Sequence, residues 1–189
     1  MTEIYGNFFE ADEKQDHLFM RLSLTSLPIE RNWHNNSMSA DFLAECQRNF
    51  FPDHDILSQE RQAELADAIS FIANELLENA MKSGYEAGDC TISIVMYISP
   101  DLLRFYVTNS IKPQNTGPFQ NFIRELLTED PEQLYIRQLT TRAESDEAIS
   151  CMGFLTLLCD YNAQLAWRFG TVPENPRVVT VTTMAQVAI

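Results

Sequence analysis

The stretch Phe71 to Tyr85, FIANELLENAMKSGY, decides the fold of this chain. It forms the second half of a long helix that the sequence predicts from Ser58 to Gly84. On a helical wheel at about 100° per residue, the apolar residues of this helix share one arc, which is typical of a helix packed against a sheet. That arc consists of Leu65, Ile69, Ile72, Ala73, Leu76 and Ala80.

Two polar residues stand at one edge of the apolar arc. Glu75 and Asn79 are four residues apart and therefore stack one turn above the other, whereas Asn74 and Glu78 point further toward solvent. A carboxylate and an amide at the edge of a buried face could hold a hydrated divalent cation or a water molecule. The competing interpretation is that both side chains are simply solvated.

The rest of the chain predicts strands and further helices around the long helix. Strands are predicted at 17–25, 90–99, 102–108, 164–169 and 177–187, with a polar loop at 29–38 and a short helix at 40–50 that buries Phe42, Leu43, Cys46 and Phe50. A final short, very apolar helix is predicted at 151–161. This order indicates an α+β fold in one domain, with a single layer of mixed, mainly antiparallel sheet and helices on one face.

Residues 109–150 form a long excursion between a hairpin and the last helix. Gly117 and Pro118 open a predicted helix with apolar residues at helical spacing, and Asp130 and Pro131 form the N-cap and first position of another. A helical insertion of this size, from about 110 to 150, suits a lid or a docking surface.

Composition and charge restrict the function classes. The chain has 189 residues, 45% of them hydrophobic, and a net charge of −14. That acidity argues against nucleic acid or an anionic membrane as the partner. No apolar run approaches the length of a membrane span, the first residues contain no apolar leader segment, and none of the four cysteines stands in CxxC spacing. We therefore expect a cytoplasmic protein without zinc.

The stretch from Glu75 to Lys82, ELLENAMK, resembles the N-box of the GHKL superfamily of ATPases and kinases. The order of the predicted helices and strands resembles that superfamily as well. Within it, the chain is most similar to the anti-sigma-factor serine kinases of bacterial partner switching and to SiaB-type kinases. The resemblance implies that Glu75 is the general base, that Asn79 binds magnesium, and that Lys82 reaches phosphate. It also implies ATP and Mg²⁺ as cofactors.

The other motifs of that superfamily are only partly present in this sequence. Its D-x-G-x-G box corresponds to Asn109-Ser-Ile-Lys-Pro113, where the resemblance makes Asn109 the adenine contact but both glycines are missing. Its second glycine box corresponds to residues 150–154, with Gly153 as the only glycine. A helix N-terminus at Gly153 offers N–H groups to an anion. Close packing of Gly153 against the sheet is the alternative.

Two functional hypotheses follow from the resemblance. In the first, the protein is an ATP-dependent serine/threonine kinase that phosphorylates a small STAS-like partner. In the second, the nucleotide site is lost and the protein regulates by binding a STAS-like or other signalling protein, through its acidic surface or the 110–150 insertion. Homodimers are common among the related kinases, and Leu18 to Leu24 with the 39–50 helix is a candidate interface.

Overall fold

The computed structural model describes residues 2–12, 14–23, 29–47, 59–83, 91–99, 101–142, 152–172 and 175–189. In chain order the elements are β1 (Glu3–Tyr5), β2 (His17–Ser23), α1 (Ile29–Cys46), α2 (Gln59–Ser83), β3 (Thr91–Ser99), β4 (Leu102–Ile111), α3 (Pro113–Thr128), α4 (Pro131–Arg142), α5 (Met152–Asp160), β5 (Gln164–Val172) and β6 (Asn175–Ala188).

The strands form one six-stranded sheet in the order β1-β5-β6-β4-β3-β2, and every paired strand is antiparallel to its neighbour. The helices pack against the sheet and give a two-layer α+β sandwich. The predicted fold class is therefore confirmed. None of the described helices is both long and apolar enough to span a lipid bilayer.

The predicted apolar arc of α2 is the centre of the core. All six of its members are buried, and they contact residues that β3 and β4 direct toward the helices. Period-2 alternation supplies that sheet surface, because Ile92, Ile94 and Met96 lie on one face of β3 while Phe105 and Val107 lie on the same face of β4. The burial of this arc determines which edge of α2 remains available for contacts with other elements or with a ligand.

Helix α1 differs from the prediction in its length and its buried face. It begins at Ile29, so the predicted loop at 29–38 is wrong. Among residues 37–47 the buried ones are Ala40, Leu43, Ala44 and Gln47, the last of them just beyond the end of α1, and they follow the i, i+3, i+4, i+7 spacing of one helix face. Phe42 lies outside that face and is 57% exposed, whereas the prediction placed it inside. Ala40 and Ala44 belong to the same core cluster as the apolar arc of α2. The predicted contact of Phe50 lies outside the described residues.

The two helices of the 110–150 excursion are present, with one boundary displaced. Helix α3 begins at Pro113 rather than after Gly117, because a proline is well placed at the first helical position, where its missing N–H costs nothing. The predicted N-cap of α4 is confirmed, since the backbone N–H of Gln133 donates to Oδ1 of Asp130 at 3.0 Å. Residues 143–150 of the predicted excursion lie outside the described part of the chain.

A strand that the sequence analysis missed explains the path of the N-terminus. β1 pairs with β5 at one edge of the sheet, and β2 pairs with β3 at the other. Residues 6–12 and 14–16 therefore cross the sheet on the face without helices, a width of about 24 Å for five strand spacings. We call these described residues the N-terminal strap. Its anchors are a hydrogen bond from Oη of Tyr106 to the carbonyl oxygen of Phe9 (2.8 Å) and the arginine–ring contacts of Arg168 with Phe8 and Arg104 with Phe9.

Gly6 allows the chain to turn from β1 into the strap. Its φ is +76°, a conformation that residues with a Cβ rarely adopt. A Cβ at this position would also lie 2.8 Å from the carbonyl oxygen of Leu165 and 3.2 Å from Cβ of Ala166. The position therefore needs glycine for both backbone conformation and space.

We expect Gly6→Ala to lower the free energy of unfolding by about 1–3 kcal/mol, because the strained backbone and the contact with β5 add their costs. Urea unfolding followed by circular dichroism measures this change. Gly170→Ala is the matched control, since its Cβ would meet only Oγ1 of Thr180 at an ordinary 3.5 Å. Equal stability of the two variants would contradict the role of Gly6.

Candidate functional site

Helix α2 carries Glu75 and Asn79 on one half-buried edge, one turn apart. The amide nitrogen of Asn79 donates to the backbone carbonyl oxygen of Glu75 at 2.8 Å. Of the two polar atoms of this amide, the nitrogen is thus engaged with the backbone of its own helix. The atom that Asn79 could offer to a cation is its oxygen, the donor type that Mg²⁺ prefers.

The first turn of α5 lies directly against this edge. A Cβ at Gly153 would overlap the carboxylate of Glu75 and would come within 3.3 Å of the amide nitrogen of Asn79. Three of the residues singled out from the sequence are therefore neighbours in space. The close approach of Gly153 is made to helix α2, not to the sheet as one alternative expected.

Burial raises the pKa of the Glu75 carboxyl above its ordinary value, and the neighbouring carboxylate of Glu78 adds to the rise. The ammonium group of Lys82 opposes it. Lys82 itself is paired with Glu78, with 2.5 Å between Nζ and Oε1, in an i, i+4 ion pair on the surface of α2. The lysine that the resemblance assigns to phosphate thus contacts a carboxylate of its own helix.

Asn109 fastens β4 to the last turn of α2. It is only 3% exposed, and its Nδ2 lies 3.1 Å from the carbonyl oxygen of Ala80 and 3.2 Å from Oγ of Ser83. Ser83 in turn donates to the backbone oxygen of Asn79 at 2.8 Å. The amide expected to meet adenine therefore directs its nitrogen at the helix that carries Glu75 and Asn79. Burial makes this link strong, because a buried amide that loses its partners is costly.

Ser83 is the member of this network that the sequence analysis missed. A signal was available, because Ser83 follows Asn79 at four residues and therefore lies on the same edge of α2. Its partner Asn109 lies on β4, so residue spacing within α2 could not predict that Ser83 and Asn109 are hydrogen-bonded.

Apolar residues within the two boxes are part of the core. Ile111 and Phe154 are each 1% exposed. Phe154 packs against Phe119, with ring centroids 6.3 Å apart, and perpendicular to the indole of Trp167 at 5.5 Å. These contacts hold α5 down on the sheet. Its N-terminal turn therefore stays against α2.

The resemblance requires phosphate oxygens and a hydrated cation between the Asn79 edge of α2 and the start of α5. In the structure Gly153 lies close to the Glu75 carboxylate and to the amide nitrogen of Asn79 on that side of α2. The described residues also contain no group of three or more histidine, cysteine or acidic side chains able to hold a metal ion.

No known family model matches the chain. No curated protein matches it either. The assignment of a function therefore depends on the geometry of the residues described above.

We expect Glu75→Gln to stabilise the protein at neutral pH and to lose this advantage in acid. A carboxyl whose pKa is raised by folding holds its proton more tightly in the folded state, so wild-type stability falls as pH rises from the ordinary value through the raised one. Glutamine cannot ionise and escapes this loss. Unfolding free energies from about pH 4 to about pH 8 measure the difference between the two proteins.

Glu64→Gln is the control, because Glu64 lies on the exposed side of the same helix. A stability difference for Glu75→Gln that does not change with pH would show that burial leaves the ionisation of Glu75 untouched.

Proposed function

We propose that this protein is a signalling regulator of the partner-switching type, and that it acts by binding a small STAS-like protein without using ATP. The observation that carries this proposal is the contact of Gly153 with Glu75 and Asn79. The close approach of Gly153 to these two side chains supports an arrangement in which little room is left beside them for a nucleotide phosphate. The carboxylate of Glu75 and the amide of Asn79 then lie against the first turn of α5.

The exposed face of α4 supports protein binding. Ile136 and Leu139 are 64% and 47% exposed and lie one turn apart. Arg137 stands between them in the sequence and is held by Glu129 at 2.6 Å and by Glu125 at 3.0 Å. Two exposed aliphatic side chains beside a fixed guanidinium suit the apolar centre and polar rim of a protein interface.

The charge of the chain restricts its partners. With 27 acidic and 13 basic residues, the protein would repel a phosphate backbone or an anionic membrane surface. The proposal therefore takes a protein partner in the cytoplasm, and no nucleic acid. A homodimer is compatible with it, because β2 is an edge strand whose helix-facing residues Leu18, Met20 and Leu22 are only half-buried.

An ATP-dependent serine/threonine kinase is the second candidate, and the raised pKa of Glu75 favours it. A half-buried carboxyl with a raised pKa is suited to accept a proton as a general base. Asn79 would supply an oxygen to magnesium. This candidate requires α5 to move away from α2 so that Gly153 releases Glu75.

Calorimetric titration with ATP, with and without magnesium, separates the two candidates. We expect no magnesium-dependent heat from the folded wild-type protein at millimolar ATP, since Gly153 occupies the interval beside Asn79. Magnesium-dependent binding that Asn79→Ala abolishes would overturn the ATP-independent proposal and establish the kinase candidate. Circular dichroism of each protein confirms that the comparison is between folded chains.

Partner binding is tested with the STAS-like proteins encoded in the same genome. We expect one of them to bind in the absence of ATP, and the double substitution Ile136→Ser with Leu139→Ser to weaken that complex by about tenfold or more. Met38→Ser with Phe42→Ser is the matched control, because it removes an exposed aliphatic–aromatic pair from α1. Binding that requires ATP, or that only the α1 variant weakens, would contradict the proposal.

A further inference from the structure

The face of the sheet that carries no helices is basic, and we call it the open face. Because side chains alternate along a strand, every second strand residue belongs to this face. In the described part of the chain these residues include three arginines and no carboxylate: Arg21, Arg104 and Arg168. In a chain with 27 acidic and 13 basic residues, such a face is suited to an acidic partner.

The strap is an acidic, aromatic segment that lies on the open face. Residues 7–12, NFFEAD, place two phenylalanines directly before a glutamate. Cζ of Arg168 lies 4.9 Å from the ring centroid of Phe8, and its Nη1 lies 2.5 Å from Oε2 of Glu10. Cζ of Arg104 lies 5.0 Å from the ring centroid of Phe9. These contacts define the chemistry that the open face accepts, which is adjacent aromatic rings followed by a carboxylate.

An apolar row lies between the arginines of β4 and β5 and binds the strap as well. Tyr106 and Met184 are register neighbours in this row. Oη of Tyr106 donates to the carbonyl oxygen of Phe9 at 2.8 Å, and the backbone N–H of Phe9 donates to Sδ of Met184 at 3.4 Å. The ring of Phe8 meets that of Tyr106 edge to face, with centroids 5.9 Å apart. Side chains of the sheet thus bind both the rings and the backbone of an extended segment.

The contacts of the strap are those of a segment that can be exchanged. Within the described residues, no backbone–backbone hydrogen bond joins the strap to a strand, and the bond from Gln15 to Asp12, at 3.0 Å, is internal to it. Of its described residues only Phe8 is half-buried, and the side chain of Glu10 is 68% exposed. An ion pair at such exposure contributes little free energy. A segment of the same chemistry on another protein can therefore compete with the strap.

We propose that the open face is a docking surface for an extended segment of a partner protein in which adjacent aromatic residues precede a carboxylate, and that the strap occupies this surface in the free protein. The site goes beyond the function proposed above, because it lies on the face of the sheet opposite to α4. Tethering makes the strap an efficient competitor. The apparent affinity for the partner segment is therefore reduced by the fraction of molecules in which the strap covers the face.

A fluorescein-labelled peptide with the sequence of residues 7–12, NFFEAD, tests the proposal by fluorescence anisotropy on the intact protein. We expect Phe8→Ser with Phe9→Ser to bind this peptide about tenfold or more tightly than the wild-type protein, in which the strap competes. Glu10→Lys is a second variant that keeps the aromatic contacts. It should tighten peptide binding by about threefold, because the strap loses its ion pair with Arg168. Circular dichroism establishes that each variant is folded.

Matched controls identify the surface and the chemistry. In the protein with both serines, Arg168→Gln should weaken peptide binding by about tenfold, because this guanidinium serves a ring and a carboxylate. Arg137→Gln removes an arginine that carboxylates hold among the helices and should leave the affinity unchanged. The peptide NSSEAD keeps the charge but lacks the rings, and it should bind about tenfold more weakly.

Three results would overturn the proposal. The absence of saturable binding to the folded variants would mean that the open face holds such a segment only as part of its own chain. Equal affinity for NSSEAD would mean unspecific attraction of an acidic peptide. Equal affinity of the wild-type protein and both strap variants would mean that the peptide binds elsewhere. None of these results depends on ATP, on a STAS-like protein or on the exposed face of α4, so failure here and failure of the proposed function are distinguishable.

Discussion

Helix α2 can bury its apolar arc only against the face of the sheet that β3 and β4 direct toward it. The six residues of the arc are all buried there, and the free energy gained grows with the apolar area removed from water. Once the arc is fixed, the rotation of the helix about its axis is fixed as well. Glu75 and Asn79 are then held at a half-buried edge that faces α5, and Lys82 is held near Glu78 on the surface.

The half-buried edge is closed by contacts from two other elements. Asn109 ties β4 to the last turn of α2 through Ala80 and Ser83, and Gly153 brings the first turn of α5 against Glu75 and Asn79. Each contact uses a group that the superfamily resemblance assigns to nucleotide. Phe154 is buried and packs on Phe119, which anchors α5 in the core and keeps its first turn against α2.

The opposite face of the sheet is covered by chain rather than by helices. β1 and β2 lie at the two outer edges, so the N-terminal strap has to cross between them. It covers an apolar row in which Val95, Tyr106 and Met184 are register neighbours. Phe19 continues this row at the edge strand β2 and remains 52% exposed.

The sequence by itself determined the elements whose signals are local. The arc of α2, the alternation of β3 and β4, and the Asp130 cap of α4 each depend on neighbours within about one turn or one strand, and all three are present. The three-residue strand β1 had no such signal, because it is stabilised by its pairing with β5, which is distant in the sequence.

Only the tertiary structure decided what the site residues contact. Glu75 and Asn79 could be placed on one helix edge from their spacing, but the partner across that edge is Gly153, far along the chain. The same holds for Asn109, whose amide could face a ligand or a helix and in fact faces α2. Helical periodicity determines the direction in which a side chain leaves the axis of its own helix. The packing of the whole core fixes which element meets it there, because that depends on how every other element fills the remaining space.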